Sequence, residues 1–299
     1  MRIRVLGSGA GGGVPQWNCG CANCCAARGG DPRIRPRTQD GLAFSADDAR
    51  WHLVNVSPDV LRQIEQTPAL HPRSPRHSPI RSILFTNGDL DHVLGLFSLR
   101  ESWPLVLYAT DAVRRGLEER NVIFRTLQRF PEQVTWRRLP LGVEVEIEAG
   151  LVVEAWPARG KLPLHLVGVG QASPEDNVSL FIRDTRSGKR VAVATATSSA
   201  EALGDTLRDV DCVFFDGTFW SSDELGRLGL GTARAEDMAH LPIGGPGGSL
   251  EQLAELRGPR KIFTHINNSN PILVDGSPEQ RAVLEAGWEI AFDGMELVL

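Results

Sequence analysis

The sequence predicts an α/β protein in which two mixed β-sheets face each other and carry helices on both outer surfaces. Three observations lead there. Strand-like segments come early as candidate hairpins, strand–helix alternation then appears in both halves, and no long polar linker divides the chain. Residues 1–299 are read as a single domain. The Pro/Arg-rich stretch HPRSPRHSP (71–79) is a loop within it and not a boundary.

Taken in order, RIRVLG (2–7) reads as a buried strand that runs into a glycine-rich loop and a cysteine cluster. WHLVNV (51–56) alternates as a strand does. Residues 60–66 have helical spacing, with Ser57 or Asp59 placed to cap them. SILFT (82–86) is a strand that delivers the turn Asn87-Gly88-Asp89-Leu90-Asp91-His92, and a helix starts near His92. Further strands fall at 105–108, 143–148, 151–156, 178–183, 190–195 and 211–215, and helices near 110–119, 199–208, 248–256 and 278–286. KIFTH (261–265) is a short strand ending at a histidine. WEIAF (288–292) and ELVL (296–299) read as a closing hairpin.

Composition narrows the function classes. A hydrophobic content of 41% and a charged content of 23% suit a globular protein with a large core. The formal net charge of −5 offers no overall basic face for nucleic acid. No apolar run approaches the ~18 residues that span a membrane, and the N-terminus lacks a secretory pattern. Four of the five cysteines lie within seven residues, which suits a metal clip in a reducing cytoplasm better than a disulfide framework.

Gly7-Ser8-Gly9-Ala10-Gly11-Gly12 matches the G-x-G-x-x-G pattern after a strand. A dinucleotide site also demands a helix opening at the third glycine, and the chain continues GVPQWNCGCANC, with Pro15 and no amphipathic spacing. The glycines are better read as letting this loop pass close beneath another element. Immediately downstream, Cys19, Cys21, Cys24 and Cys25 form a C-x-C-x-x-C-C run whose thiolates can converge on one tetrahedral zinc. Three donors are easily supplied; the fourth is Cys25 or a residue from far along the chain. Cys212, in VDCVFF, is a core residue.

The turn after SILFT brings Asn87, Asp89, Asp91 and His92 together, a donor set suited to a divalent cation. Asp216 in VFFDGTFW and His265 in KIFTHINN each follow a buried strand, and strand ends at one sheet edge converge in space. His240, in EDMAHLP, can approach from a helix end. His52, His71, His77 and His165 are read as surface or core histidines.

These residues resemble the metallo-β-lactamase superfamily, whose signature is H-x-H-x-D-H after a strand. The segments GSGAGGGVPQWNCGCANC, RPRTQ, SPDVLRQI, TNGDLDHVLGL, FFDGT and THINNSNP are similar, more narrowly, to the pyrroloquinoline quinone (PQQ) biosynthesis protein B family. The resemblance implies an αββα sandwich and a part in making PQQ from a Glu–Tyr-containing precursor. The superfamily's first metal site would use positions 87 and 89, here Asn and Asp, and a third histidine near Gly160–Lys161, where none is present. Its second site maps onto Asp91, His92 and His265, with Asp216 as the bridging or fourth ligand. A two-histidine, one-carboxylate set of this kind suits Fe2+, or another divalent metal with open positions.

The implied activity is iron-dependent oxygenation of a tyrosine-containing precursor, with Asn87, Asp89 and His240 orienting the phenol or handling protons. A soluble carrier that moves PQQ or its precursor towards the periplasm, and a metal-dependent hydrolase, are the alternatives. In related phosphodiesterases a similar cysteine cluster holds structural Zn2+, closed by a histidine three residues after the equivalent of His265. Here that position is Asn268, so the fourth ligand stays open between Asn268 and Cys25. The partners implied are the precursor and other PQQ-pathway proteins, with room for a homodimer, and neither nucleic acid nor membrane.

Overall fold

The computed structural model describes residues 1–148 and 150–299. Its strands are β1 (Arg2–Gly7), β2 (Gly41–Ser45), β3 (Trp51–Val54), β4 (Ile80–Leu84), β5 (Leu105–Ala109), β6 (Val134–Arg138), β7 (Val145–Glu148), β8 (Leu151–Pro157), β9 (Val178–Asp184), β10 (Arg190–Ala194), β11 (Cys212–Asp216), β12 (Arg260–Thr264), β13 (Trp288–Ile290) and β14 (Glu296–Val298). One sheet has the order β14-β1-β2-β3-β4-β5-β6 and the other β13-β12-β11-β10-β9-β8-β7. In the first, β3 to β6 run parallel; in the second, β10 to β13 do. Both parallel blocks point their C-terminal ends toward the same edge, where open α/β sheets place their ligands.

Strand periodicity builds four layers. Ile3, Val5, Phe44 and Leu84 of the first sheet meet Val153, Leu180, Val193, Phe214 and Ile262 of the second, forming the central core. The neighbours in sequence point the other way. Val213, Phe215 and Phe263 pack outward with Leu253 and Val283, while Leu53, Ile83 and Leu107 pack outward with Val60, Leu96 and Leu117. The covering helices are α1 (Ala22–Arg28), α2 (Val60–Glu65), α3 (Leu90–Val93), α4 (Asp111–Glu118), α5 (Glu224–Arg227), α6 (Ser249–Gln252) and α7 (Pro278–Glu285). The α/β sandwich expected from the pattern is the fold observed. Among the described residues no helix is long and apolar enough to cross a membrane.

Four local expectations are corrected. WEIAF and ELVL do not form a hairpin, because β13 pairs with β12 and β14 with β1, in different sheets. The Asp293 carboxylate in the connecting turn accepts from the backbone N and hydroxyl of Ser8 and of Thr38, which draws the chain across from one sheet to the other. Residues 199–208 form two short 3-10 turns, Glu201–Leu203 and Thr206–Asp209, with Gly204 between them. The helix near 248–256 is a single turn, α6. Asp59 starts α2 without capping it: its carboxylate instead accepts from Gln39 N at 2.9 Å. β2, β6 and α1 carry too little periodicity to be read from sequence.

At the opposite end of the sheets lies a buried histidine. His52 Nδ1 is 2.8 Å from Ser82 Oγ, and its Nε2 is 3.5 Å from Glu148, a carboxylate already shared with Arg50 and Arg81. Burial, aided by Arg81, pushes its pKa down to about 4. The unfolded chain therefore takes up a proton below about pH 6.5 that the folded chain refuses. Stability from this residue is complete above that pH and is lost as pH falls toward 4. Urea denaturation at pH 7 and pH 5 should show a loss of about 2 kcal/mol attributable to His52. A His52→Gln variant should lack that share of the acid loss; an equal loss in both proteins would refute the assignment.

Candidate metal centre

The strand ends converge on a cluster of histidines and carboxylates. β4 ends two residues before Thr86-Asn87, and the turn hands Asp91 and His92 to α3. β11 ends in Asp216, directly opposite Thr264 of β12, so Gly217 and His265 follow side by side. A Cβ on Gly217 would lie 2.8 Å from Thr264 O, so only glycine allows this approach. His265 has φ +55, and Asn55, Ala196 and Ala239 are also left-handed. Non-glycine residues in that region store strain, and all four flank this site.

Two trios share His265. Donor atoms of Asp91, His92 and His265 lie within 4.8 Å of one another, as do those of Asp216, His240 and His265. His92 Nδ1 is 2.8 Å from the Asn87 carboxamide oxygen, so this nitrogen carries the proton and the Nε2 lone pair is free. That Nε2 is buried and has no hydrogen-bond partner among the described residues. On His265, Nδ1 contacts Thr218 Oγ1 at 2.8 Å, and Nε2 faces Asp91 Oδ2 at 3.2 Å. Burial pulls the His265 pKa down, but Asp91 outweighs it and raises it to about 9. Burial pushes Asp91 up, yet His92 and His265 hold its carboxyl well below the usual range. His92, buried and beside a protonated His265, is held down to about 4.

Asp216 does not join Asp91 and His92 directly. It accepts from His240 Nδ1 at 2.7 Å, from Thr197 N at 3.1 Å and from Thr218 N at 3.0 Å. His240, stacked on His265 with centroids 5.3 Å apart, keeps Nε2 without a protein partner among the described residues. Asp89 is half-buried at the mouth of the turn, its backbone N donating to Asn87 Oδ1. Asn87 is thus an orienting group for His92, with its Nδ2 buried and without a partner among the described residues. At Gly160–Lys161 the Asn177 amide fills the space, donating to Lys161 O at 2.6 Å, and a Cβ on Gly160 would lie 2.2 Å from it.

Two residues that the sequence reading missed complete the cluster. Thr218 Oγ1 touches both His240 and His265, and its place within FFDGT was the available signal. Asp40, just before β2, is fully buried with Oδ2 3.8 Å from His92 Nε2, and burial raises its pKa to about 6. With His92 neutral, that contact is no ion pair.

The glycine-rich loop is part of the same edge. Ala10 N donates to Ile266 O and Ile266 N to Ser8 O, so the loop is zipped to the residue after His265. A Cβ on Gly11 would sit 3.2 Å from Asp91 Oδ2. No helix opens at the third glycine; Gly12 N donates to Gln39 Oε1 instead, leaving no pyrophosphate cradle. Beyond it, Cys19, Cys21 and Cys24 bring their sulfurs within 4.8 Å of one another. The Asn268 amide nitrogen lies 3.2, 3.6 and 3.3 Å from these three sulfurs in turn. Cys25 is exposed on α1, its thiol against Gly20 O. Of the two candidates for the fourth position, only Asn268 stands with the trio.

Residues 50–266 match the β-lactamase superfamily domain. Coenzyme PQQ synthesis protein B of Methylobacterium nodulans is 45% identical over 302 residues, covering 100% of both chains. That of Pseudomonas syringae pv. syringae is 39% identical over 303 residues, again with 100% of both covered. The crystal structure of Zn2+-bound PqqB from Methylobacterium extorquens has a TM-score of 0.94 at 40% identity over 100% of both chains. A diphosphatase of the PhnP family shares the fold, with a TM-score of 0.70, 23% identity and coverage of 100% of this chain and 97% of that one. Two facing sheets with their donors at one edge, together with identity of this order along the whole length, place the chain in the coenzyme PQQ synthesis protein B family of the β-lactamase superfamily.

Proposed function

We propose that this chain serves PQQ biosynthesis as an iron(II)-dependent oxygenase that hydroxylates the ring of a tyrosine-containing precursor. The observation that carries the reading is the donor set: two imidazoles and one carboxylate at one sheet edge, with His92 Nε2 unpartnered and His265 Nε2 turned to Asp91. His92 Nε2, buried without a partner, is an orphan that a cation would satisfy. The superfamily's first-site positions hold Asn87, Asp89 and Gly160, and Asn177 occupies the room, which disfavours a two-metal hydrolase. Asp91, His92 and His265 would hold the iron, and bound iron(II) would supply the activation of dioxygen that the protein's own side chains lack.

The remaining groups bind and move protons. Asp216 fixes His240 through Nδ1, leaving Nε2 to take the phenol proton or return it. Asp89 stands at the mouth of the turn, where it can receive a substrate hydroxyl or amine. Overall, one oxygen atom enters a ring C–H bond and the other leaves as water. Two electrons and two protons come from an external reductant such as ascorbate. In the clip, Cys19, Cys21 and Cys24 would hold a structural zinc, and the Asn268 carboxamide could close it only by turning its oxygen, in place of its NH2, toward the ion.

The test is oxygen uptake and product mass with a Glu–Tyr peptide and ascorbate, using protein loaded with either Fe2+ or Zn2+ at the active site. A gain of one oxygen atom with iron only is expected. Turnover with zinc alone would establish hydrolysis or Lewis-acid chemistry instead. Tight PQQ binding that survives loss of Asp91 and His92, without turnover, would make the protein a carrier.

A further inference from the structure

We propose that the cavity between α4 and residues 162–176 binds a zwitterionic amino acid or short peptide with an apolar or aromatic side chain. Asp176 would take its ammonium group and Arg115 its carboxylate. The inference adds a ligand site beside the metal centre and does not depend on which metal that centre holds.

The cavity has a volume of about 380 Å³, at the small end of ligand sites. Leu162, Leu166 and Val169 line its apolar side, and Arg115, Glu119, Arg120 and Asp176 its charged side. These charges cancel, so the lining suits neither a polyanion nor a simple cation but a molecule that carries both signs. None of the four pairs with another among the described residues; Arg120 instead donates to Val169 O at 2.7 Å.

Asp176 is the anchor. It is 4% exposed and accepts a hydrogen bond from Ser173 N at 2.6 Å. Burial raises its pKa, and the charged neighbour acting on it is another carboxylate, Glu175. A buried carboxylate facing a cavity with no cation beside it is costly, and a ligand ammonium would supply the missing partner. The arginines around it are committed elsewhere: Arg114 pairs with Glu118, and Arg138 with Asp111 and Glu175. Arg115 makes no ion pair among the described residues, and it is exposed at the rim of the same cavity.

Room is kept at Gly116, a glycine inside α4, where it weakens the helix. A Cβ there would stand 3.0 Å from Leu166 Cδ1 and 3.6 Å from His165 Nε2, so a side chain would displace the apolar wall. That wall also packs on the metal turn. His165 Cε1 lies 3.6 Å from where a Cβ on Gly88 would be, and Asn177, next to Asp176, bridges Asn87 through the backbone.

The experiment is calorimetric titration of the full-length, metal-loaded protein with L-phenylalanine, N-acetyl-L-phenylalanine and L-phenylalaninamide. Phenylalanine has no phenol, so binding is read apart from turnover, and either can fail without the other. Wild type should prefer phenylalanine to both blocked forms. Asp176→Asn should weaken phenylalanine binding about 30-fold, as loss of one partner of a buried charge pair does, and erase the preference over the N-acetyl form. Arg115→Met, at an exposed position, should weaken it about 5-fold and erase the preference over the amide. Asp91→Asn should bind as wild type does. Equal affinity of wild type for all three compounds would overturn the proposal, as would preferences unchanged in Asp176→Asn and Arg115→Met. Binding lost in Asp91→Asn but kept in Arg115→Met would place the ligand on the metal and overturn it too. Should Asp176→Asn fail to fold, an amide preference unchanged in Arg115→Met is enough to refute the site.

Discussion

A His265→Asn variant is expected to lose the active-site metal and to lose turnover by well beyond the roughly 10- to 100-fold typical of residues that only buttress a ligand. His265 is the one residue common to both clusters, so its removal empties each of them. Asparagine is the informative replacement because the backbone here is left-handed, at φ +55, a region asparagine enters more readily than most residues. The fold should therefore persist, and circular dichroism should match wild type. Iron content after anaerobic loading, measured beside oxygen uptake, checks the result. Stoichiometric iron with normal uptake would mean that His265 is not a ligand. Loss of uptake with iron retained would move it into the proton-handling group with His240.

How much of this was legible in the sequence depended on distance along the chain. Asp91, His92, Asp216 and His265 could be found because each follows a strand that reads clearly, and strand ends at one edge meet. The cysteine run announced itself by density. Asp40 could not be found, because RTQD has no local pattern, and its partners come from positions 55, 92 and 264. Thr218 lay within the FFDGT segment, but its role depends on histidines 22 and 47 residues away. The closing hairpin was misread for a related cause. Two short alternating segments around FDG look like a local turn, but Asp293 bonds residues 255 and 285 positions earlier, and those bonds decide the topology. The decoy at Gly7–Gly12 failed on local grounds that were readable: the missing helix.

Cys24→Ala should release zinc from the clip and lower stability in a way that reaches the active site. Cys24 is fully buried, and its sulfur faces the Asn268 amide together with Cys19 and Cys21. Zinc present at a thousandfold above its dissociation constant adds about 4 kcal/mol to a fold that binds it only when native. At about 2.1 cal/mol/K per residue, losing that contribution lowers Tm by roughly 6 °C in a chain of this length. Cys25→Ala, by contrast, should leave zinc content and Tm unchanged, because that thiol is exposed and turned to Gly20 O. The further consequence comes from α1, which carries Cys24. Its Asn23 amide donates to Asn268 O and Asn270 O, pinning the segment that begins three residues after His265. Without the clip, that segment loosens, and His265 relies on its remaining contacts, among them Thr218 and the glycine loop, to hold its strained backbone. Iron affinity should therefore fall in Cys24→Ala although no iron ligand has changed. Zinc and iron contents of Cys24→Ala and Cys25→Ala, with thermal melts in the presence and absence of a chelator, separate the cases. Unaltered iron affinity after zinc loss would show that the clip stabilises the fold without positioning the catalytic metal.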